Sequence, residues 1–218
     1  MAVFCYHLFM TQKYWDQAHI NKYSKSDWSN KPTIFAQFAI SYFPESGNIL
    51  ELGTGQGQDA AYFSSLGYRV TATDFSQEAL KNAKQKIDDV KFMYLDTASG
   101  LPFDDNTFDI VYSHLALHYF DDNTTRKVFQ DIHRILKPSG IFATITNTIN
   151  DPEINDLQYK ELEPGYFETD GTSRRYFSKD YMEKVTAQLF SNLVLDENGE
   201  SYKDEIKSLI RYIGKAIK

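Results

Sequence analysis

A chain of 218 residues with an apolar fraction of 42% fits one globular domain with a sizeable core. No run of about 18 apolar residues occurs, which excludes a membrane-spanning helix, and a net charge of −7 argues against nucleic-acid partners, whose phosphates call for a basic face. The single cysteine, Cys5, rules out an internal disulfide and a cysteine-rich metal site, so a cytoplasmic residence is the default.

Residues 1–10 are apolar but lack a basic leader and a small-residue cleavage site. They read as a floppy extension or as residues ahead of a second start at Met10. Residues 11–31 hold Tyr14, Trp15, Tyr23 and Trp28 among polar residues with little apolar periodicity. They predict one or two short helices lying over the domain, either as a packed arm or as a lid over a pocket. The main domain then runs from 32 to 218.

Ile34, Phe35, Phe38 and Ala39 recur at helical spacing and predict a helix over 32–43, with Pro32 in its first turn and Pro44 and Gly47 beyond its end. Alternation follows. The pattern predicts strand 48–52, helix 58–65 with a stop at Leu66-Gly67, strand 69–73 ending at Asp74, and helix 77–87 capped by Ser76. Next come strand 90–95 ending at Asp96, strand 108–113, helix 123–136 stopped by Lys137-Pro-Ser-Gly140, and strand 141–146. Strands alternating with helices predict an α/β domain with a parallel sheet covered on both faces. Residues 147–176 are polar, aromatic and unassigned, and Ser178 caps a helix holding Tyr181, Val185 and Leu189. Leu193 to Leu195 and Ile206 to Ile213 read as two final strands, the last also fitting a helical face.

Ligands of such sheets sit at the carboxyl ends of the strands, where strand order reverses. Gly53, Gly55 and Gly57 follow the first strand, forming a tight turn that a ligand can approach closely and that aims unpaired N–H groups from the helix start. Their spacing is Gly-x-Gly-x-Gly, not the Gly-x-Gly-x-x-Gly of dinucleotide enzymes, and no Gly-Lys-Ser or Gly-Lys-Thr marks a triphosphate loop. Glu51 sits two residues before the first glycine, and Asp74 lies seventeen residues after Gly57. A carboxylate there accepts from two ribose hydroxyls or caps the following helix. Asp96, with the Thr97 amide beside it, can hold an adenine edge or be a solvated loop acid. One such signal per successive strand end points to a shared cofactor site.

Residues 51–57 (Glu-Leu-Gly-Thr-Gly-Gln-Gly), Thr73-Asp74, Leu95-Asp96, Leu101-Pro-Phe103, Phe108-Asp-Ile-Val-Tyr-Ser113 and Leu136-Lys-Pro-Ser-Gly140 resemble the ordered motifs of class I S-adenosylmethionine-dependent methyltransferases. The resemblance implies a Rossmann-like, seven-stranded, mostly parallel sheet with an antiparallel final strand. It implies that Glu51, Gly53, Thr54, Gly55 and Gly57 hold the methionine moiety of S-adenosylmethionine and that Asp74 takes the ribose. Phe75 would pack on the adenine, Asp96 and Thr97 would hold its edge, and Ser113 and His114 would flank the cofactor. The aromatic N-terminal arm and Arg174-Arg175-Tyr176-Phe177 are similar to tellurite-resistance-type and related small-molecule methyltransferases.

Methyl transfer from a sulfonium needs alignment and water exclusion more than catalytic side chains. His118 is a candidate base, or a histidine packed near the cofactor. His7, His19 and His133 carry no constellation. Arg174 and Arg175 could grip an anionic acceptor or form a solvated pair, and Trp28, Tyr159, Tyr166 and Tyr176 could line the acceptor pocket or simply pack. No His/Cys spacing fits a metal. The expected activity is methyl transfer to a small molecule in the cytoplasm, without nucleic-acid or membrane partners. The alternatives are a non-catalytic, cofactor-binding partner module and a nicotinamide-dependent oxidoreductase.

Overall fold

The computed structural model describes residues 2–26, 30–154, 160–169, 172–200 and 208–218, with the backbone alone for 2–11 and Thr169. Its main sheet has seven strands in the order β3-β2-β1-β4-β5-β10-β9. These are β1 (Asn48–Leu52), β2 (Arg69–Asp74), β3 (Lys91–Tyr94), β4 (Phe108–His114), β5 (Leu136–Asn147), β9 (Phe190–Gly199) and β10 (Leu209–Ala216). The pairs among β1 to β5 are parallel, whereas β10 runs antiparallel to both β5 and β9. The sheet is therefore mostly parallel with an antiparallel final strand, and the helices lie on both faces.

Strand alternation sends side chains to two cores. Ile49, Ile110, Ala143, Ile145 and Ile213 pack with Phe35 and Ala36 of α2 (Ile34–Ala39) and Ala60 and Phe63 of α3 (Gln58–Ser65). Leu50, Leu52, Val111, Phe142 and Tyr212 pack with Val128, Phe129 and Ile132 of α5 (Asp122–Ile135) and Met182 and Val185 of α6 (Lys179–Thr186). Between α3 and α5 lies α4 (Gln77–Lys84), capped by the Ser76 hydroxyl, which accepts from the Ala79 amide.

Several elements differ from the pattern read in the sequence. The N-terminal arm holds a long helix, α1 (Ala2–Asn21), which runs through the stretch expected to be a floppy extension, followed by one short helical turn, Tyr23–Lys25. Among the described side chains of α1, Gln12, Trp15, Asp16 and His19 share one inward face at i, i+3, i+4 and i+7, and all but Trp15 are polar. Apolar periodicity therefore had nothing to register. Thr33, not Pro32, starts α2: its hydroxyl accepts from the Ala36 amide. Helix α4 ends at Lys84, and Ile87 beyond it packs below Gly57. Strand hydrogen bonding resumes at Leu136, directly after α5, where Leu136 lies opposite Phe108.

The unassigned segment holds a second sheet of three antiparallel strands, β6 (Lys160–Glu163), β7 (Tyr166–Thr169) and β8 (Thr172–Arg175). Arg175 fastens it to the main domain. Its backbone amide donates to the His118 carbonyl at 2.7 Å, and its guanidinium donates to the carbonyls of Phe120 and Pro164 and to the Glu163 carboxylate. The guanidinium also lies 4.8 Å from the Tyr181 ring centroid and 5.4 Å from that of Tyr166. Removing a buried, paired cation strands its acceptors. Arg175→Met is expected to cost about 2 kcal/mol, held down by the solvent that Glu163 keeps. That loss lowers the thermal midpoint by roughly 4–8 °C. An unchanged circular-dichroism melt would show that this pin does not hold the second sheet.

Candidate functional site

Strand order reverses between β1 and β4, so the loops leaving β1, β2, β3 and β4 share one rim, the place where open α/β sheets bind ligands. The glycine turn after β1 takes three left-handed residues, with φ of 76° at Gly53, 57° at Gly55 and 80° at Gly57. A Cβ on Gly53 would sit 2.2 Å from the Ala116 Cβ, so the loop after β4 presses directly on this turn. Leu115, at the start of that loop, is itself left-handed at φ 52°.

Four of the turn's N–H groups, expected to be free, are spent inside the protein. The amides of Gly53 and Thr54 both donate to the Thr73 carbonyl at 2.9 Å, Gly55 donates to Asp74 Oδ2 at 2.8 Å, and Gly57 donates to the Thr54 carbonyl at 2.9 Å. The rim instead presents acceptors. Asp74 is held by Gly55 on one oxygen and by the Ser76 amide on the other at 2.8 Å, leaving each oxygen a further lone pair. Burial raises its pKa, opposed by His19.

Beneath the turn, Glu51 accepts from the Thr54 hydroxyl at 2.6 Å. Asp59 accepts from the Thr33 amide at 2.6 Å, the Thr33 hydroxyl at 2.7 Å and the Tyr112 hydroxyl at 2.8 Å. Burial, reinforced by the Asp59 charge, pushes the Glu51 carboxyl up to about 8, and burial raises Asp59 as well.

The remaining expected residues divide. Ser113 donates to the Leu52 carbonyl at 2.9 Å, which joins the ends of β4 and β1. Burial lowers His114 to about 4, so its ring is neutral. The Phe75 and Tyr94 rings lie 6.0 Å apart, and the Leu95 amide donates to the Asp74 carbonyl at 3.0 Å. Asp96 caps a short turn, Thr97–Ser99, accepting from the Ala98 amide at 3.0 Å and the Ser99 hydroxyl at 2.6 Å. His118 is buried, its ring 4.3 Å from that of Tyr119.

Arg174 reaches both Glu153 oxygens at 3.2 Å and lies 5.9 Å from the Tyr119 ring centroid. Tyr166 donates to the Tyr119 carbonyl at 3.4 Å. Arg175, by contrast, is committed to protein acceptors in the fastening already described. Trp28 and Tyr159 lie outside the described residues. Among the described residues, no group of three or more His, Cys, Asp or Glu is arranged to hold a metal ion.

Helix α1 supplies what the sequence reading missed. His19, assigned no partner there, has its Nδ1 2.8 Å from Gln56 Nε2 in the glycine turn. Asp16 accepts from the Ser76 hydroxyl at 2.6 Å and the Glu78 amide at 3.3 Å, at the start of α4. The Trp15 ring meets Tyr119 edge-on at 4.9 Å. One helix thus touches the loops after β1, β2 and β4. No sequence signal could have marked these residues, because each contact joins segments far apart in the chain.

Residues 50–144 match the profile of a methyltransferase-domain family. The chain is 34% identical over 97 residues to an uncharacterised methyltransferase of Synechocystis sp., covering 44% of this chain and 45% of that protein. It is 30% identical over 126 residues to the malonyl-[acyl-carrier protein] O-methyltransferase of Pectobacterium atrosepticum, covering 58% and 46%. It is also 38% identical over 96 residues to the mitochondrial arginine-hydroxylase of Homo sapiens, covering 43% and 26%. The chain spans less than half the length of each of these relatives. Its fold is similar to that of the Burkholderia thailandensis 1,6-didemethyltoxoflavin-N1-methyltransferase, with a TM-score of 0.73 at 16% identity over 96% of this chain and 88% of that one.

The buried acid pair has a consequence for stability. Folded, Glu51 keeps its proton up to about pH 8, whereas an unfolded glutamate loses it near 4.5. Between those values the folded state binds more protons, so stability falls as pH rises through the window. Glu51→Gln is expected to flatten this fall in thermal midpoints taken from about pH 5 to about pH 8. A wild-type slope that the substitution leaves unchanged would place the titrating group elsewhere.

Proposed function

We propose that this chain, which carries a class I S-adenosylmethionine-dependent methyltransferase domain, binds S-adenosylmethionine at the β1/β4 rim and transfers its methyl group to a small-molecule acceptor. The observation that carries this reading is the sign of the site. The amides of Gly53, Thr54, Gly55 and Gly57 are spent inside the protein, and the side chains around them are acids. A dinucleotide's diphosphate needs free donors at such a turn, which disfavours the nicotinamide reading. A cofactor with paired ribose hydroxyls, an ammonium and a sulfonium needs acceptors, and these residues fit it.

In this reading Glu51, Gly53, Thr54, Gly55 and Gly57 enclose the methionine moiety and Asp74 accepts from the ribose. Phe75, Asp96 and Thr97 border the adenine, and Ser113 and His114 border the sulfur side. The cofactor supplies a methyl group already activated on a sulfonium. The chain's part is to align the acceptor and exclude water, for which α1 is placed as a lid over three of the loops. His118, packed on Tyr119, orients that loop, and Arg174 over Tyr119 is the cation proposed to face an anionic acceptor.

A small acceptor rather than a nucleic acid is favoured by the acidic balance of the chain, and the single cysteine favours the cytoplasm. It is also favoured by relatives named for demethylmenaquinone and malonyl-[acyl-carrier protein] methylation. A second reading, cofactor binding without methyl transfer, draws on the arginine-hydroxylase relative.

Calorimetric titration of the full chain tests the assignment. S-adenosylmethionine and S-adenosylhomocysteine are expected to bind, NADH is not, and Asp74→Ala should weaken both at least about tenfold through the lost charged hydrogen bonds. Absence of binding by either adenosyl compound removes the proposal. Binding without turnover over a broad acceptor panel favours the second reading.

A further inference from the structure

With its turn amides engaged and Glu51, Asp59 and Asp74 close by, the rim suits hydroxyls and cations. The four engaged amides give no donor to an amino-acid carboxylate, and the Asp74 carboxylate beside them repels one. A cofactor with a zwitterionic end needs a donor from elsewhere.

Helix α1 brings one. His19 is 6% exposed, and its Cε1 lies 3.6 Å from the point a Gly55 Cβ would occupy, against the bare face of the turn. Gln56 Nε2 can only donate, so His19 Nδ1 is the acceptor of their 2.8 Å contact and the ring proton sits on Nε2. The imidazole thus keeps one N–H that Gln56 does not use, on a ring whose Cε1 faces the turn. Gln56 is 2% exposed, and its Oε1 has no partner among the described residues. A buried amide oxygen without a donor is costly unless a ligand satisfies it. The helix is held in place independently by Asp16 on Ser76 and Glu78, and by the Trp15 ring edge-on to Tyr119 at 4.9 Å, while the Tyr23 ring lies edge-on to His19 at 5.1 Å.

We propose that His19, oriented by Gln56, receives the carboxylate of the cofactor's amino-acid end while Gln56 Oε1 takes its ammonium, so that the N-terminal helix is part of the binding site and not only its cover. The inference rests on the S-adenosylmethionine reading above. It makes His19 and Gln56 binding residues that discriminate between cofactor fragments.

Two probes separate the inference from that reading. S-adenosylhomocysteine carries the amino-acid end, and 5′-methylthioadenosine has the same thioether and adenosine without it. His19→Phe keeps a ring against Tyr23 and removes the donor. It is expected to weaken S-adenosylhomocysteine about tenfold while leaving 5′-methylthioadenosine within about twofold, by calorimetry on the full chain. Asp16→Asn loosens the helix without touching the imidazole and is expected to shift both affinities in equal proportion. Equal losses for both probes in His19→Phe, or no loss for either, overturn the assignment. So does an Asp16→Asn variant that discriminates as strongly as His19→Phe, since helix docking would then be the cause. Failure of the wild-type chain to bind either probe removes the earlier reading and this one together.

Discussion

The hydrogen bond from the Gly55 amide to the Asp74 carboxylate decides the character of the rim. It ties the turn after β1 to the end of β2, and it spends an amide that a phosphate-binding turn would keep free. Once Gly53 and Thr54 have also given their amides to the Thr73 carbonyl, the turn is a closed backbone structure. Its glycines then serve approach and conformation rather than anion binding: Gly53 leaves no room for a Cβ beside Ala116, and Gly57 sits on Ile87. The same three residues in a dinucleotide fold would do the opposite electrostatic job.

Much of this was legible in the chain. β1, β2, β4 and α3 stood out because they are short, buried and bounded by glycine or a capping residue, and such elements report their environment through composition. Ser76 as a cap also followed from local chemistry, whereas the antiparallel final strand followed from the family resemblance and not from its own pattern, which fitted a helix as well. What failed to show was organised by polar contacts. The three strands of residues 160–175 are four residues each and mostly charged or polar, with their only aromatics, Tyr166 and Phe167, side by side, so no apolar face marks their period.

Arg174 and Arg175 illustrate the consequence. Adjacent residues on a strand point to opposite faces, so one reads as fastening and the other as rim. Arg175 is spent on two carbonyls and Glu163. Arg174 pairs with Glu153 and lies over Tyr119. Sequence alone treats the two as equivalent, because the register of β8 is set by its pairing with β7 and not by its own pattern.

Helix α1 carries the same lesson into the site. A helix that covers a core announces itself by an apolar stripe. A helix that covers a ligand rim must face acceptors and donors, and among the described side chains of α1 His19 is buried and Gln12, Trp15 and Asp16 half-buried. Its lack of amphipathic signal follows from where it docks. Asp16 at the start of α4, His19 at the glycine turn and Trp15 at Tyr119 are spaced so that one rigid element bridges the ends of three strands. Any ligand that binds beneath it must therefore be matched by polar groups of the helix as well as of the sheet. Buried polar groups without partners cost more than a missing apolar contact, and the Oε1 of Gln56, in the turn that His19 faces, has no partner among the described residues.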